Sequence, residues 1–343
     1  MKYNDVKWLV FGKQGDYTLL WHIAKALVKL GFNLRKVLFK EPLFTPPHPL
    51  STRYLFLNRA LIRKSLIHGI CDFKPDVLLI VKGMYITPKD LIAIHKICGC
   101  LIVHLMNDEG DERNFERYSL PIAEESDVVF TAQESYIAKY KEHGISNVYY
   151  FSYACDPDIH RSVSLNDQDL LKFSCDVSFA GTCRSERIRM IQAVASHHPV
   201  VWGNGWRRYK VPRDVKGFVR GKALVMDDLV KLYNASKITL NVHKPYEIYD
   251  GTKANMRVFE ATASGVLLIT DQPRGMKQMF TPDKELVCYD NLEELLELVD
   301  YYLDNTEERE SIARRGQIRA RREHTYLKRV KDMLQNLEYD HLY

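Results

Sequence analysis

The amino-acid sequence predicts an α/β protein built from two doubly wound domains, and three observations predict it. Apolar strand-like runs alternate with helix-like segments, the pattern of a parallel sheet with helices on both faces. The alternation breaks once, at the polar stretch 155–175, and then starts again. A chain of 343 residues also exceeds what a single core usually organises.

The first strand is read at 6–12, "VKWLVFG", ending in the loop "KQGD". Asp16 is placed to cap a helix whose apolar positions Leu19, Leu20, Ile23 and Leu27 recur at helical spacing. A strand at 33–39 precedes "KEPLFTPPHPLS" (40–51), whose prolines predict a loop. Continuous apolar runs at 76–83 and 100–111 read as strands buried on both faces, separated by a helix over 88–97. A strand at 127–132, a helix at 136–144 and a strand at 148–154 complete the first half. The polar stretch 155–175 is the expected interdomain linker.

The second half opens with the strand "DVSFAG" (176–181), a helix over 185–195 and the strand-end run "PVVWGNG" (199–205). After an irregular basic loop comes a helix at 227–236, capped by Asp227 or Asp228, then the strand "KITLNVH" (237–243). A helix at 255–264, a strand at 266–270, a short helix near 274–280, a strand at 285–290 and three helices close the chain. Two such domains are Rossmann-like and would face each other across a cleft. Ligands are expected beyond the carboxyl ends of the strands.

Composition excludes several classes. Hydrophobic content of 46% and charged content of 27% are those of an ordinary globular protein, and no apolar run is long enough to predict a membrane span. The first residues lack the apolar region of a signal peptide, so residence inside the cell is expected. Seven cysteines without a CxxC pair predict buried free thiols, and Cys98-Gly99-Cys100 alone is a weak zinc signal. Between 314 and 331 there are eight Lys and Arg residues against Glu323. That segment reads either as a solvated helix face or as a contact for an anionic surface. Aromatic residues that would stack on bases are not interleaved there, which argues against nucleic acid.

The most informative stretch is "NMRVFEATASG" (255–265), an apolar helix with polar groups at its start. Arg257 and Glu260 are three apart and share one face. They can pair with each other while Asn255 caps the helix. Alternatively, Arg257 can take phosphate oxygens and Glu260 a ribose diol, at a helix end whose N–H groups favour anions. In "FAGTCRSER" (179–187), Gly181 ends a strand and Arg184 opens a helix, with Arg187 a weaker candidate; helix N–H groups and an arginine can stabilise a departing diphosphate. "WGNGW" (202–206) lacks the third glycine of a dinucleotide fingerprint, but with "VKGFV" (215–219) it can bring an aromatic and backbone groups to a nucleobase. Asp108, nearest the strand end in "NDEGDE" (107–112), is the candidate base for deprotonating an acceptor hydroxyl. His104 reads as a core histidine. His243, at a strand end, is a candidate contact for a donor sugar, while nothing in the spacing of Tyr246, Tyr249 and Asp250 decides their roles.

"GTKANMRVFEATASGVLLITD" resembles the nucleotide-sugar segment of GT-B glycosyltransferases, in particular the CgeB-like branch of the group 1 type. The resemblance extends through "DVSFAGTCRSERIRMI", "LVKLYNASKITLNVHK" and "HTYLKRVKDML", over about 176–335. It implies an acceptor domain at 1–160, a donor domain at 170–322 and a final segment, 323–343, packing back on the first. It implies a nucleotide-diphosphate sugar donor, a glycan, lipid-linked or protein acceptor, no cofactor and no required metal. Glu260 would bind ribose hydroxyls, with Gly181, Arg184, His243, Asn255 and Arg257 completing the donor site. The related E-x7-E pattern would want an acid at 252, where this chain has Thr252. The resemblance also leaves open a non-hydrolysing nucleotide-sugar epimerase and a non-catalytic nucleotide-sugar-binding protein. A cytoplasmic location follows, with peripheral membrane contact through 314–331 as a further expectation.

Overall fold

The computed structural model describes residues 5–15, 18–40, 50–83, 85–106, 112–208, 210–243 and 254–341. The chain forms two compact units, one comprising Met1–Ser152 and Leu327–Tyr343, the other Tyr153–Tyr326.

The first unit holds β1 (Lys7–Lys13), β2 (Asn33–Phe39), β3 (Val77–Val81), β4 (Leu101–Met106), β5 (Val128–Thr131) and β6 (Val148–Tyr150). They form one parallel sheet in the order β2-β1-β3-β4-β5-β6. All five residues of β3 are buried, which is why it reads as an unbroken apolar run rather than an alternating one. Leu9, Phe11, Leu78, Ile80 and Ile102 pack one sheet face against Ile70, Leu91 and Ile94 of the covering helices.

Local chemistry explains most element boundaries in this unit. Helix Leu19–Lys29 starts where the Thr18 hydroxyl accepts from the Trp21 N–H at 3.3 Å. Thr18 is therefore the cap, and Asp16 lies outside the described residues. Helix Pro88–Cys98 begins with Pro88 in its first turn and a reciprocal Thr87–Asp90 capping pair, and it stops at Gly99 in the left-handed region (φ 57°). The stretch 40–51 predicted as loop falls mostly outside the described residues, but its end enters a helix, Leu50–Phe73, that sequence reasoning did not anticipate. Charged and apolar residues are mixed along that helix without a clean stripe, so periodicity does not announce it.

The second unit holds β7 (Cys175–Ala180), β8 (Val200–Trp202), β9 (Val219–Gly221), β10 (Ser236–Asn241), β11 (Leu267–Asp271) and β12 (Val287–Tyr289). Its parallel order is β12-β11-β10-β7-β8-β9. Ile238 pairs with Val177 on one side and Leu267 on the other, so β10 and β7 are central. The polar stretch 155–175 lies within this unit, carrying a short helix, Asp167–Phe173. Where an irregular loop was expected after β8, the chain forms helix Arg213–Gly217 and the edge strand β9. Met226, not Asp227 or Asp228, is the N-cap of helix Asp227–Ala235; both aspartates sit in its first turn, where the helix dipole favours them.

All seven cysteines are free thiols; Cys100 and Cys155 are buried, whereas Cys71 is exposed. Cys98 and Cys100 stand with sulfurs 3.1 Å apart, yet no group of three potential metal ligands occurs among the described residues. No described helix is long and apolar enough to cross a membrane.

His104 is fully buried in β4, with the Lys82 backbone beside its ring as a smaller influence opposing the effect of burial. Burial pushes its imidazole down to about 4 from the usual 6.5. The unfolded chain takes up this proton below about pH 6.5 while the folded chain refuses it until about pH 4. The contribution is thus intact above pH 6.5 and is lost on acidification, to a total of about 3 kcal/mol. Urea unfolding at pH 7 and pH 4.5 should show this loss in the wild type and a smaller one in His104→Leu.

Candidate functional site

The order of the second sheet reverses between β7 and β10, and ligands of doubly wound sheets bind outside the carboxyl ends of the strands at such a point. Here the chain delivers Gly181 after β7, Asn241 and His243 at the end of β10, and Asp271 at the end of β11. Helix Met256–Ser264 then aims its first turn at the same edge, with Asn255 as its extended N-cap (φ −73°, ψ 164°).

Arg257 ties these ends together. Its Nε donates to the Ala180 carbonyl at 2.7 Å and its Nη1 to Asn241 Oδ1 at 2.5 Å. Its guanidinium lies 5.0 Å from the centre of the Phe179 ring, and that of Arg187 lies 5.5 Å from it. Two cations therefore converge on one buried aromatic ring, an attraction that strengthens away from water. Arg187 also donates from Nη1 to the Thr182 carbonyl at 2.7 Å.

Gly181 is the residue that permits this. A Cβ there would stand 2.6 Å from Arg257 Nη2, 2.9 Å from Phe179 and 3.2 Å from Arg187 Nη1. Its carbonyl accepts from Trp206 Nε1 at 2.8 Å, which seats the buried indole against the strand end. Arg184 is exposed at the N-cap of helix Ser185–Ala193, with no side-chain capping bond.

The amide orientations follow from the network. Asn241 is fully buried; its Nδ2 donates to Thr270 Oγ1 at 2.9 Å, so its Oδ1 is the acceptor for Arg257 and for Asn255 Nδ2 at 3.1 Å. With Nδ2 turned inward, Asn255 is left with Oδ1 buried and without a hydrogen-bond partner. The Asn255 side chain thus makes no capping bond, contrary to one sequence reading of it.

His243, expected to face a donor sugar, is instead engaged on both ring nitrogens and 1% exposed. Nδ1 meets Asp271 Oδ1 at 2.5 Å, and Nε2 accepts the Asn255 backbone N–H at 3.2 Å, which puts the ring proton on Nδ1. The His243 backbone N–H also donates to the Asp271 carboxylate. The geometry makes this imidazole a support for Asn255.

Glu260 sits one turn further along the same helix, half-buried. Burial first, and the Glu260 carboxylate second, push the phenols of Tyr233 and Tyr326 upward. Two strands away, a cavity of about 390 Å³ opens at the carboxyl ends of β8 and β9, lined by Gly203, Gly205, Trp206, Arg207, Val219 and Lys222 among others. The WGNGW loop therefore does border a pocket.

Of the predicted residues, the structure brings together Gly181, His243, Asn255 and Arg257, with Glu260 on the same helix and Arg184 at the surface. Asp108, Tyr246, Tyr249, Asp250 and Thr252 lie outside the described residues. Of the acidic cluster only Glu112 is described, and it pairs with Lys139 at 2.8 Å. Sequence reasoning missed Asn241 and Asp271; a polar residue ending an otherwise apolar strand was the available signal. Several arginines of 314–331 are occupied within the protein. Arg315 donates to the Lys284 carbonyl, Arg321 to those of Pro157 and His160, and Arg319 and Arg322 pair with Glu323.

This architecture is that of the GT-B glycosyltransferases. Residues 184–335 match the glycosyl transferase-like family, so the matching segment carries the helix with Arg257 and Glu260. No curated protein matches the sequence. Among solved structures, the chain is similar to Anabaena HepE in complex with UDP and glucose, at 13% identity and a TM-score of 0.68 over 97% of this chain and 100% of that one. It is similar to sucrose-phosphate synthase from Thermosynechococcus elongatus at 12% identity and a TM-score of 0.69, over 97% and 98% of the two chains. An α-glucosyltransferase in complex with UDP and a DNA containing an HMU base aligns at 10% identity and a TM-score of 0.70, over 97% and 99%.

Gly203 approaches the same strand end more closely still: a Cβ there would fall 1.8 Å from the Gly181 carbonyl oxygen, a backbone atom. Gly203→Ala should therefore lower the unfolding free energy by about 3 kcal/mol in urea titrations. Gly181→Ala should cost less, because all three close neighbours of a Cβ there are side-chain atoms, none closer than 2.6 Å.

Proposed function

We propose that the protein transfers a sugar from a nucleoside-diphosphate donor to a hydroxyl acceptor. The observation that carries this is the convergence of Arg257 and Arg187 on Phe179 and Gly181 at the sheet's switch point. A diphosphate leaving group gathers negative charge as the glycosidic bond breaks, and fixed cations stabilise that charge without reorganising. Exposed Arg184 stands at the mouth of the same loop.

The strand order supports a direction for the donor. The base occupies the cavity at β8 and β9, beside Trp206 and the backbone of the WGNGW loop. The diphosphate lies over the end of β7, and the sugar reaches the end of β10 and Asn255. Because Asn255 presents Oδ1, an acceptor, it suits a hydroxyl of the sugar and repels a phosphate oxygen. Glu260 takes the ribose diol. HepE and the α-glucosyltransferase are described with UDP, which favours a uridine donor here. The Asn-x-Arg-x-x-Glu run supports a place in the CgeB-like branch and a role in building a glycan. Asp108 remains the proposed base in the first unit, with the acceptor a glycan, a lipid-linked sugar or a protein. In this reading the chain works in the cytoplasm and requires no metal, its cations being arginines.

Isothermal calorimetry tests the site. Glu260→Ala should weaken UDP binding by about tenfold or more, the scale of one charge-assisted hydrogen-bond pair, with urea unfolding unchanged. Asn255→Ala should weaken UDP-glucose more than UDP. Unchanged affinity for every nucleotide tried would sink the assignment. Epimer formed from donor alone, with no acceptor present, would assign the same site to an epimerase. Saturable binding without turnover across an acceptor panel would leave a binding protein.

A further inference from the structure

We propose that Thr270, Asp271 and His243 are positioning residues for recognition of the donor sugar. Through Asn255 they hold one hydrogen-bond acceptor toward the sugar, and the site thereby selects donors with a free hydroxyl at that point. The inference rests on the donor reading and deepens it. Asn255, Asn241, Thr270, Asp271 and His243 close a ring of hydrogen bonds at the carboxyl ends of β10 and β11. Asn255 Nδ2 donates to Asn241 Oδ1 at 3.1 Å, and Asn241 Nδ2 donates to Thr270 Oγ1 at 2.9 Å. The Thr270 hydroxyl donates to Asp271, 3.1 Å from its carbonyl oxygen and 3.2 Å from Oδ1. Along the other arm, the Asn255 backbone N–H donates to His243 Nε2 at 3.2 Å, and His243 Nδ1 to Asp271 Oδ1 at 2.5 Å.

The bonds of this ring have a fixed direction. A carboxylate only accepts, so both arms end at Asp271, and donation on both starts at Asn255. Arg257, which can only donate, fixes the same sense where it meets Asn241 Oδ1. Turning the Asn255 amide over would set oxygen against oxygen at Asn241. Among the described residues, Asn255 Oδ1 is consequently the buried side-chain atom of the ring left without a partner. It also forgoes the bond to helix N–H groups that an N-cap asparagine usually accepts. Buried polar atoms are otherwise paired almost everywhere in folded proteins, because an unpaired one is destabilising. A ring that served only to tie strand ends together would gain nothing from such an atom. A ligand O–H supplies its missing partner.

Thr270 reaches Asn255 only through Asn241, and Asp271 only through His243, so both act without touching the donor. Thr270→Val keeps the shape of the side chain but leaves Asn241 Nδ2 bare and its amide unanchored. Asp271→Asn removes the anion that keeps the His243 proton on Nδ1. The proton can then pass to Nε2, where it opposes the Asn255 N–H. Either change frees Asn255 to turn, and the acceptor is no longer held toward the sugar.

Calorimetry of the full chain with UDP, UDP-glucose and UDP-glucose carrying fluorine in place of each sugar hydroxyl in turn tests this, because a C–F group cannot donate. In the wild type, one fluorinated donor should bind about tenfold more weakly than UDP-glucose, the scale of one buried hydrogen bond. In Thr270→Val and in Asp271→Asn that penalty should fall below about twofold, the mark of coupled groups, with UDP affinity unchanged. Thr270→Ser keeps the hydroxyl and should keep the penalty. The wild-type series decides the first point even where a variant fails to fold. The proposal is overturned by a wild type that tolerates fluorine at every position, or by a penalty that persists in both variants. Thr270→Ser behaving like Thr270→Val would also overturn it, by showing that packing and not the hydroxyl matters. A wild type that binds no UDP refutes the donor reading and this inference with it, whereas UDP bound with no fluorine penalty overturns this inference alone.

Discussion

The Arg257 guanidinium bridging two strand ends is the contact on which the rest of the site depends. One N–H meets the carbonyl that ends β7 and another meets the amide that ends β10. Charge-assisted bonds of this kind are about twice as strong as neutral ones, and they hold their partners in a plane. The consequences spread outward. Gly181 must lack a Cβ to admit the guanidinium, and Gly203 must lack one to admit Gly181. Asn241 must present oxygen, which turns Asn255 so that its own oxygen has no partner.

Behind this first layer stands a second. Asp271 holds the ring proton of His243 on Nδ1, and the bare Nε2 then accepts the Asn255 backbone N–H. A histidine at a strand end invites a reading as a donor-sugar contact, but a ring that is buried and engaged at both nitrogens acts by placing its neighbour. Such support is what keeps a binding constellation within the tolerance that chemistry demands.

The legibility of the site in the sequence was uneven, for physical reasons. Arg257 and Glu260 could be picked out because a packed helix with charged residues near its start is conspicuous against its own pattern. Asn241 and Asp271 could not, because a single polar residue ending an apolar strand is common and only the strand across the gap gives it meaning. The run 314–331 shows the opposite failure. Its density of arginine stands out in a one-dimensional reading, yet Arg315 and Arg321 are directed at backbone carbonyls far away in sequence. Helix Leu50–Phe73 escaped notice because its apolar and charged residues do not separate into faces.

By itself the sequence determined the alternation of strands and helices and the two-sheet α/β class. Those follow from hydrophobic period and from turn residues, which are local properties of the chain. Tertiary structure alone decided that β7 lies next to β10, that Thr18 rather than a nearby aspartate starts the first helix, and which polar atoms face each other across the strand ends. Hydrogen-bond partners fifteen to eighty residues apart, such as Arg257 with Asn241 and with Ala180, are set by sheet order, which no local pattern encodes.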